Sequence, residues 1–268
     1  MLVIVLFLLA AVIAAALLIF CAGAAWWQGL LLGLGVFVLL HPLYLLVIYA
    51  SSLTVDRNKP IERQIPLCRQ GTADVLGLLC VYCGIRPHIR GLEKLPEDGR
   101  FFLVCNHRSF FDPCLTIDRL RRWNVSFISK PSNLQLPLIG PIGHAAGYLS
   151  IDRENNREAL KTILQAADYL KRGVCSMAVY PEGTRTKDGN MLPFHAGCFK
   201  VAQRAGVPLV VAAIRGTEQV MKNFPFKKTD VYLDILEVID AERVKAMSTN
   251  ELSDYSRALM ESHLSETA

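Results

Sequence analysis

Two long apolar runs open the chain, and an alternation of strand-like and helix-like segments follows them. From Met1 to Val55 there is no Asp, Glu, Lys or Arg, and the first charged side chain is Asp56. Leu2 to Ala22 is unbroken; at about 1.5 Å per residue it reaches roughly 31 Å, enough for a hydrocarbon core of about 30 Å. Leu30 to Ala50 is of similar length and is interrupted only by His41-Pro42. A proline there removes one backbone donor and predicts a kink, while His41 reads as a structural or interfacial residue. Gly23, Trp26, Trp27 and Gln28 lie between the runs and suit an interfacial turn. Residues 1–55 are therefore expected to form a membrane-anchoring two-helix hairpin. The first cations, Arg57, Lys59, Arg63 and Arg69, come directly after it. By the positive-inside rule they put the remainder, residues 56–268, on the cytoplasmic face of the membrane.

That remainder alternates. Strand-like apolar runs occur at Phe101 to Cys105, Val125 to Ser129, Tyr148 to Ile151, Cys175 to Tyr180, Leu209 to Ile214 and Val231 to Val238, with His88 on an expected edge strand. The clearest helix is Asn156 to Arg172, where Leu160, Ile163, Leu164, Ala167 and Leu170 recur at helical spacing and Gly173 closes the end. Strands and helices in succession predict one α/β domain of three layers around a mixed sheet. In such sheets the working residues gather beyond the carboxyl ends of the strands.

Composition narrows the function classes. Of 268 residues 52% are hydrophobic, and the net charge of +5 arises wholly after Val55. That balance suits attraction to an anionic leaflet and is too mild and dispersed for nucleic acid. The eight cysteines lie mostly in apolar runs, as buried free thiols do. Cys80 and Cys83 have metal-pair spacing, but no second pair or suitably spaced histidine accompanies them. No metal site, cofactor or disulfide is expected. His144, in an expected loop, and His263 read as structural or exposed.

Candidate chemistry sits at the strand ends. Asn106-His107-Arg108-Ser109-Phe110-Phe111-Asp112 leaves the Phe101 to Cys105 run. A carboxylate folded back on the imidazole would fix its tautomer and leave the other nitrogen to accept a proton. Taken alone, however, Asp112 before Pro113 reads first as an ordinary helix N-cap, which explains the acid without any chemistry. No serine, cysteine or threonine stands in a recognisable nucleophile setting, and the proton should come from a substrate hydroxyl. Gly147 to Arg153 is a strand ending in Asp152-Arg153, and Pro181-Glu182-Gly183-Thr184-Arg185 follows another. Arg153 and Arg185 could fork onto a phosphate, Glu182 could orient an arginine or accept from a substrate hydroxyl, and Gly183 lets the backbone approach a ligand. Lys130, at a third strand end, is a further cation. A base for a hydroxyl beside cations for a phosphate describes a phosphorylated alcohol as acceptor.

The ordered set NHRSFFD, GYLSIDR, PEGTR and GVPLVVAAI, spanning roughly Gly91 to Gly216, resembles the four blocks of the glycerolipid acyltransferase family, most closely its 1-acylglycerol-3-phosphate acyltransferases. The apolar hairpin also resembles the anchor of bacterial members. The resemblance implies that His107 is the general base and Asp112 its partner. It implies that Arg153, Glu182, Gly183, Thr184 and Arg185 hold the acceptor's phosphate and glycerol. Lys130 resembles a family lysine whose following residues are here replaced by Pro131-Ser132-Asn133-Leu134. Phe194 to Lys200 resembles a site-shaping segment. The implied partners are membrane lipids and an acyl donor, acyl-CoA or acyl carrier protein, as co-substrate at a bacterial inner membrane. Rival readings are the same chemistry on glycerol 3-phosphate or another lysophospholipid, and a lipid-binding protein without turnover.

Overall fold

The computed structural model describes residues 2–97, 99–152, 154–186 and 190–267. Helices α1 (Leu2–Ala22) and α2 (Trp26–Ser52) form an antiparallel hairpin, long and apolar enough to cross a membrane, whose outer surfaces are exposed side chains such as Leu6, Leu9, Leu31 and Leu39. Their contact face is built from small residues. A Cβ on Gly33 would stand 3.0 Å from the Ala11 carbonyl oxygen, so the backbones meet at a distance that a larger residue would forbid. The turn is shorter than expected. Trp26 and Trp27 already belong to α2, and α2 continues through Pro42 as one helix.

The rest is a seven-stranded sheet with helices on both faces. Its strands are β1 (Ile85–Arg90), β2 (Phe102–Cys105), β3 (Val125–Ser129), β4 (Leu149–Ser150), β5 (Ser176–Val179), β6 (Leu209–Arg215) and β7 (Thr229–Ile239), in the order β1-β7-β6-β2-β5-β3-β4. Each neighbouring pair is parallel except β6 and β7. The central strands are buried on both faces, which is why they read as nearly continuous apolar runs.

Alternate side chains feed two cores. Leu103 and Cys105 point to the face covered by α3 (Pro66–Tyr82) and α4 (Phe111–Arg119). Phe102 and Val104 point to the face covered by α7 (Asn156–Lys171), α8 (Lys200–Ala205) and α11 (Thr249–Glu266). The shorter helices are α5 (Pro131–Leu134), α6 (Ile139–Ala145), α9 (Val220–Asn223) and α10 (Ala241–Ala246). The three-layer mixed sheet is the architecture the alternation predicts.

Helix α7 forms where its periodicity predicts; its buried stripe is Ile163, Ala166, Ala167, Tyr169 and Leu170, and Leu160 and Leu164 lie exposed on its shoulder. One expectation is corrected. His144 lies on a helix, α6, rather than in a loop. The glycines and the proline of this segment disfavour a helix locally, but Ile142, Ala145 and Ala146 join the apolar cluster under α2 and α3, and that burial decides.

Helix α2 is docked only over its second half. Ser51 meets Cys68, Ile48 packs on Gly71, the Tyr44 hydroxyl donates to Asp74, and His41 bonds the Tyr82 hydroxyl at 2.6 Å. Helices α2 and α3 therefore run antiparallel, and residues 26–40 continue past the end of α3.

Candidate active site

The carboxyl ends of β6, β2, β5, β3 and β4 share one edge, because these strands are mutually parallel. Val104 lies opposite Val179, and continuing that register beyond the strand ends sets His107 against Glu182. On the other side Cys105 faces Ala212, and β6 runs on to Arg215 before Gly216 and Thr217. Asn106 is buried and locks this neighbour in place, accepting from the Ile214 amide at 2.8 Å and donating to its carbonyl at 2.9 Å. The sheet thus delivers His107, Glu182 and Thr217 to one place from three separate stretches of sequence.

His107 Nδ1 lies 2.8 Å from Asp112 Oδ2. Asp112 is 0% exposed, and its charge is held by donors on every side. The amides of Arg108 and Ser109 donate to Oδ2 at 2.6 and 2.7 Å, and the Thr217 hydroxyl donates to Oδ1 at 2.5 Å. Four donors thus converge on one buried carboxylate. The N-cap expectation is corrected here. The helix starts at Phe111 with Phe110 at its cap position, so Asp112 sits within the first turn and turns its carboxylate back over the loop. With Nδ1–H donated to Asp112, Nε2 is left as the accepting nitrogen. The ring stacks at 4.1 Å and 10° on Tyr180, which in turn stacks on Phe127. Burial pushes the Tyr180 phenol well above its usual range, so this platform stays neutral. The His107 side chain is 18% exposed, so part of the ring is open to solvent.

Glu182 behaves differently from expectation. Its carboxylate is a brace: Oε1 accepts from the His107 amide at 2.6 Å and Oε2 from the Leu192 amide at 2.9 Å. At 3% exposure it faces the main chain, where it was expected to orient an arginine or accept from a substrate hydroxyl. Burial raises its carboxyl above the usual range, and the two amide donors and His107 work against that. Gly183 has φ +78°, a conformation that strongly favours glycine, and its amide closes a turn onto the Tyr180 carbonyl. The chain then folds back so that the Thr186 amide donates to the His107 carbonyl at 3.1 Å, with Thr184 and Arg185 exposed just before it. Lys130 is exposed at the end of β3, two strands from β2. Arg153 lies outside the described residues, in the segment that leaves β4. Among the described residues no group of His, Cys, Asp and Glu is arranged to hold a metal ion.

Residues 86–215 match the family model described as Acyltransferase. Among curated proteins, the 1-acyl-sn-glycerol-3-phosphate acyltransferase of Escherichia coli is 27% identical over 192 residues, covering 72% of this chain and 78% of its own. A protein of Chlamydomonas reinhardtii with the same activity in its name is 39% identical over 134 residues, 50% of this chain and 40% of its own. Over residues 86–215 the chain is similar to the acyltransferase family. Among solved structures, the 1-acyl-sn-glycerophosphate (LPA) acyltransferase PlsC from Thermotoga maritima matches with a TM-score of 0.64 and 21% identity, over 98% of this chain and 95% of that one. At that identity the likeness speaks for the shared fold.

That likeness gives the dyad its setting, and two of its supports lie outside the sequence reading. Tyr180 ends the β5 run directly before the PEGTR block, and Thr217 directly follows the GVPLVVAAI run and Arg215-Gly216. Both positions were signalled only by being next to a block. The brace is testable. Glu182→Gln sets an amide NH2 against one of two backbone N–H donors, and a buried unmatched donor costs about 1–3 kcal/mol. Thermal unfolding should show a loss of that order with a parallel fall in acyl transfer; an unchanged melt would mean that the brace carries no stability.

Proposed function

We propose that this protein transfers an acyl group from a thioester donor, acyl-CoA or acyl carrier protein, to the sn-2 hydroxyl of 1-acylglycerol 3-phosphate, giving phosphatidic acid for phospholipid synthesis. The observation that carries this reading is the His107–Asp112 pair, with its carboxylate buried and saturated and its imidazole partly exposed. The relatives named for that activity support the acceptor.

In this scheme His107 Nε2 accepts the hydroxyl proton as the oxygen attacks the thioester carbonyl. The tetrahedral intermediate collapses, the C–S bond breaks, and the imidazolium returns its proton to the departing thiolate. Asp112 stabilises the imidazolium between these two steps, and Tyr180 keeps the ring from turning. The residues require neither an acyl-enzyme nor a cofactor for this sequence. The hairpin, residues 1–55, holds the domain of residues 56–268 at the cytoplasmic surface, so that the acceptor's acyl chain can stay in lipid.

The acceptor phosphate is assigned to Arg185, Lys130 and Arg153, with Gly183 and Thr184 shaping the approach. Strands lie about 4.8 Å apart, so β5 and β3, which lead to Arg185 and Lys130, stand roughly 5 and 10 Å from β2. Arg185→Ala should therefore raise the apparent KM for a lysophosphatidic acid acceptor most, and Lys130→Ala less, with kcat little changed, because the phosphate charge is the same in ground and transition states. Acceptor titrations in a membrane assay read this out. An equal effect on an uncharged acceptor would remove the phosphate clamp. Lysophosphatidic acid supplied with each donor in turn, with the product lipid identified by mass, tests the reaction as a whole; absence of phosphatidic acid with both donors overturns it.

A further inference from the structure

Between β6 and β7 the chain makes a loop, Gly216 to Lys228, that the catalytic scheme uses only through Thr217. Past Val220, which is buried, the loop turns outward. Met221, Phe224 and Phe226 are exposed, Phe226 to 97%. Lys222, Lys227 and Lys228 are exposed among them. Large apolar side chains interleaved with lysines on a short loop match the chemistry of a lipid interface: rings go below the head groups and ammonium groups stay among anionic phosphates. Isolated exposed apolar residues are common on soluble proteins, but three on one loop with three cations are a patch.

Its position selects the partner. The loop leaves the same sheet edge that carries His107, and Val220 packs in the core beneath α3 and α4, the side on which the hairpin docks. The link to the hairpin is direct. A Cβ on Gly84 would stand 3.5 Å from Lys228 Cα, the Thr229 amide bonds the Gly84 carbonyl, and Tyr82, two residues earlier, holds His41 of α2. The free stretch of α2, residues 26–40, begins at that level and runs outward, so a bilayer that receives it meets the loop at its surface. Phe110, at the start of α4, and Leu136, Leu138 and Ile139, beyond β3, are exposed along the same edge.

We infer that the loop Met221 to Lys228 is a second membrane contact, which seats Phe224 and Phe226 in the interface of an anionic bilayer and turns the His107 edge toward lipid. This goes beyond the acyl-transfer reading and does not depend on which acceptor is used. It gives the domain a fixed tilt on the surface, which the hairpin, attached at one side, does not set alone.

The test uses the full chain in lipid vesicles. Cys21, the exposed cysteine, is replaced by Ser, and Phe226→Cys is labelled with an environment-sensitive fluorophore; the other native cysteines are buried. Lys171→Cys, at the end of α7 before β5 and so at the opposite sheet edge, is the control. In vesicles of about three parts phosphatidylethanolamine to one of phosphatidylglycerol, the label at 226 should emit to the blue and be quenched by acrylamide at least about threefold less than the label at 171. Replacing Lys222, Lys227 and Lys228 together by Gln, or using phosphatidylcholine alone, should remove part of that protection. Equal quenching at the two positions overturns the contact. Protection indifferent to both the lysines and the lipid charge overturns the anionic surface as the partner.

Discussion

His107→Ala should lower acyl transfer by about 10²- to 10⁴-fold or more while the protein still folds and resides in the membrane. The side chain is 18% exposed, so its removal leaves a space open to solvent and no sealed cavity. Asp112 keeps the amides of Arg108 and Ser109 and the Thr217 hydroxyl as donors, so the buried charge is not orphaned. The loss should accordingly fall on kcat with little change in the acceptor KM or in the melting temperature. Membrane fractions assayed for product, with a thermal melt of the same preparation, separate the two effects. A variant that melts normally and turns over at the full rate would remove the base from the scheme.

The pair was legible in the sequence because its geometry is local: an acid five residues after a histidine at a strand end can fold back within one loop, whatever the rest of the chain does. The support around it was not legible, since it depends on register. Glu182 reads as a polar group in a turn and therefore as a ligand for substrate. Only the parallel pairing of β2 with β5 shows that its carboxylate meets the His107 amide before it meets anything in the cleft. Thr217 lies 105 residues from Asp112 along the chain and reaches it because β6 pairs with β2. Apolar runs gave the layers of the fold without giving strand order, and strand order is what ranks Arg185 and Lys130 by distance. The opposite failure occurs at α6, where glycine and proline signal a loop and burial against α2 and α3 makes a helix.

Asp112→Asn should slow the reaction by about 10²- to 10⁴-fold, and the donors on the page say which part of the carboxylate is responsible. The amide oxygen has one place where it can go. The position of Oδ2 faces three donors, His107 Nδ1, Arg108 N and Ser109 N, so the NH2 group must take the place of Oδ1. There it meets the Thr217 hydroxyl, which can turn from donor to acceptor. The imidazole consequently keeps its tautomer and orientation, and what the variant loses is the negative charge that steadies the imidazolium. Stability should fall by about 1–3 kcal/mol, since bonds to a charged acceptor become bonds to a neutral one. Thr217→Val separates charge from geometry. Alone it removes one donor and leaves the carboxylate charged, so kcat should drop far less than in Asp112→Asn. Combined with Asp112→Asn it strands a buried NH2, so the double variant should melt lower than the sum of the two single losses. Steady-state rates and melts of the four proteins provide the comparison. If Asp112→Asn turns over like the parent, the carboxylate serves only to fold the loop, and stabilisation of a protonated His107 is not part of the mechanism.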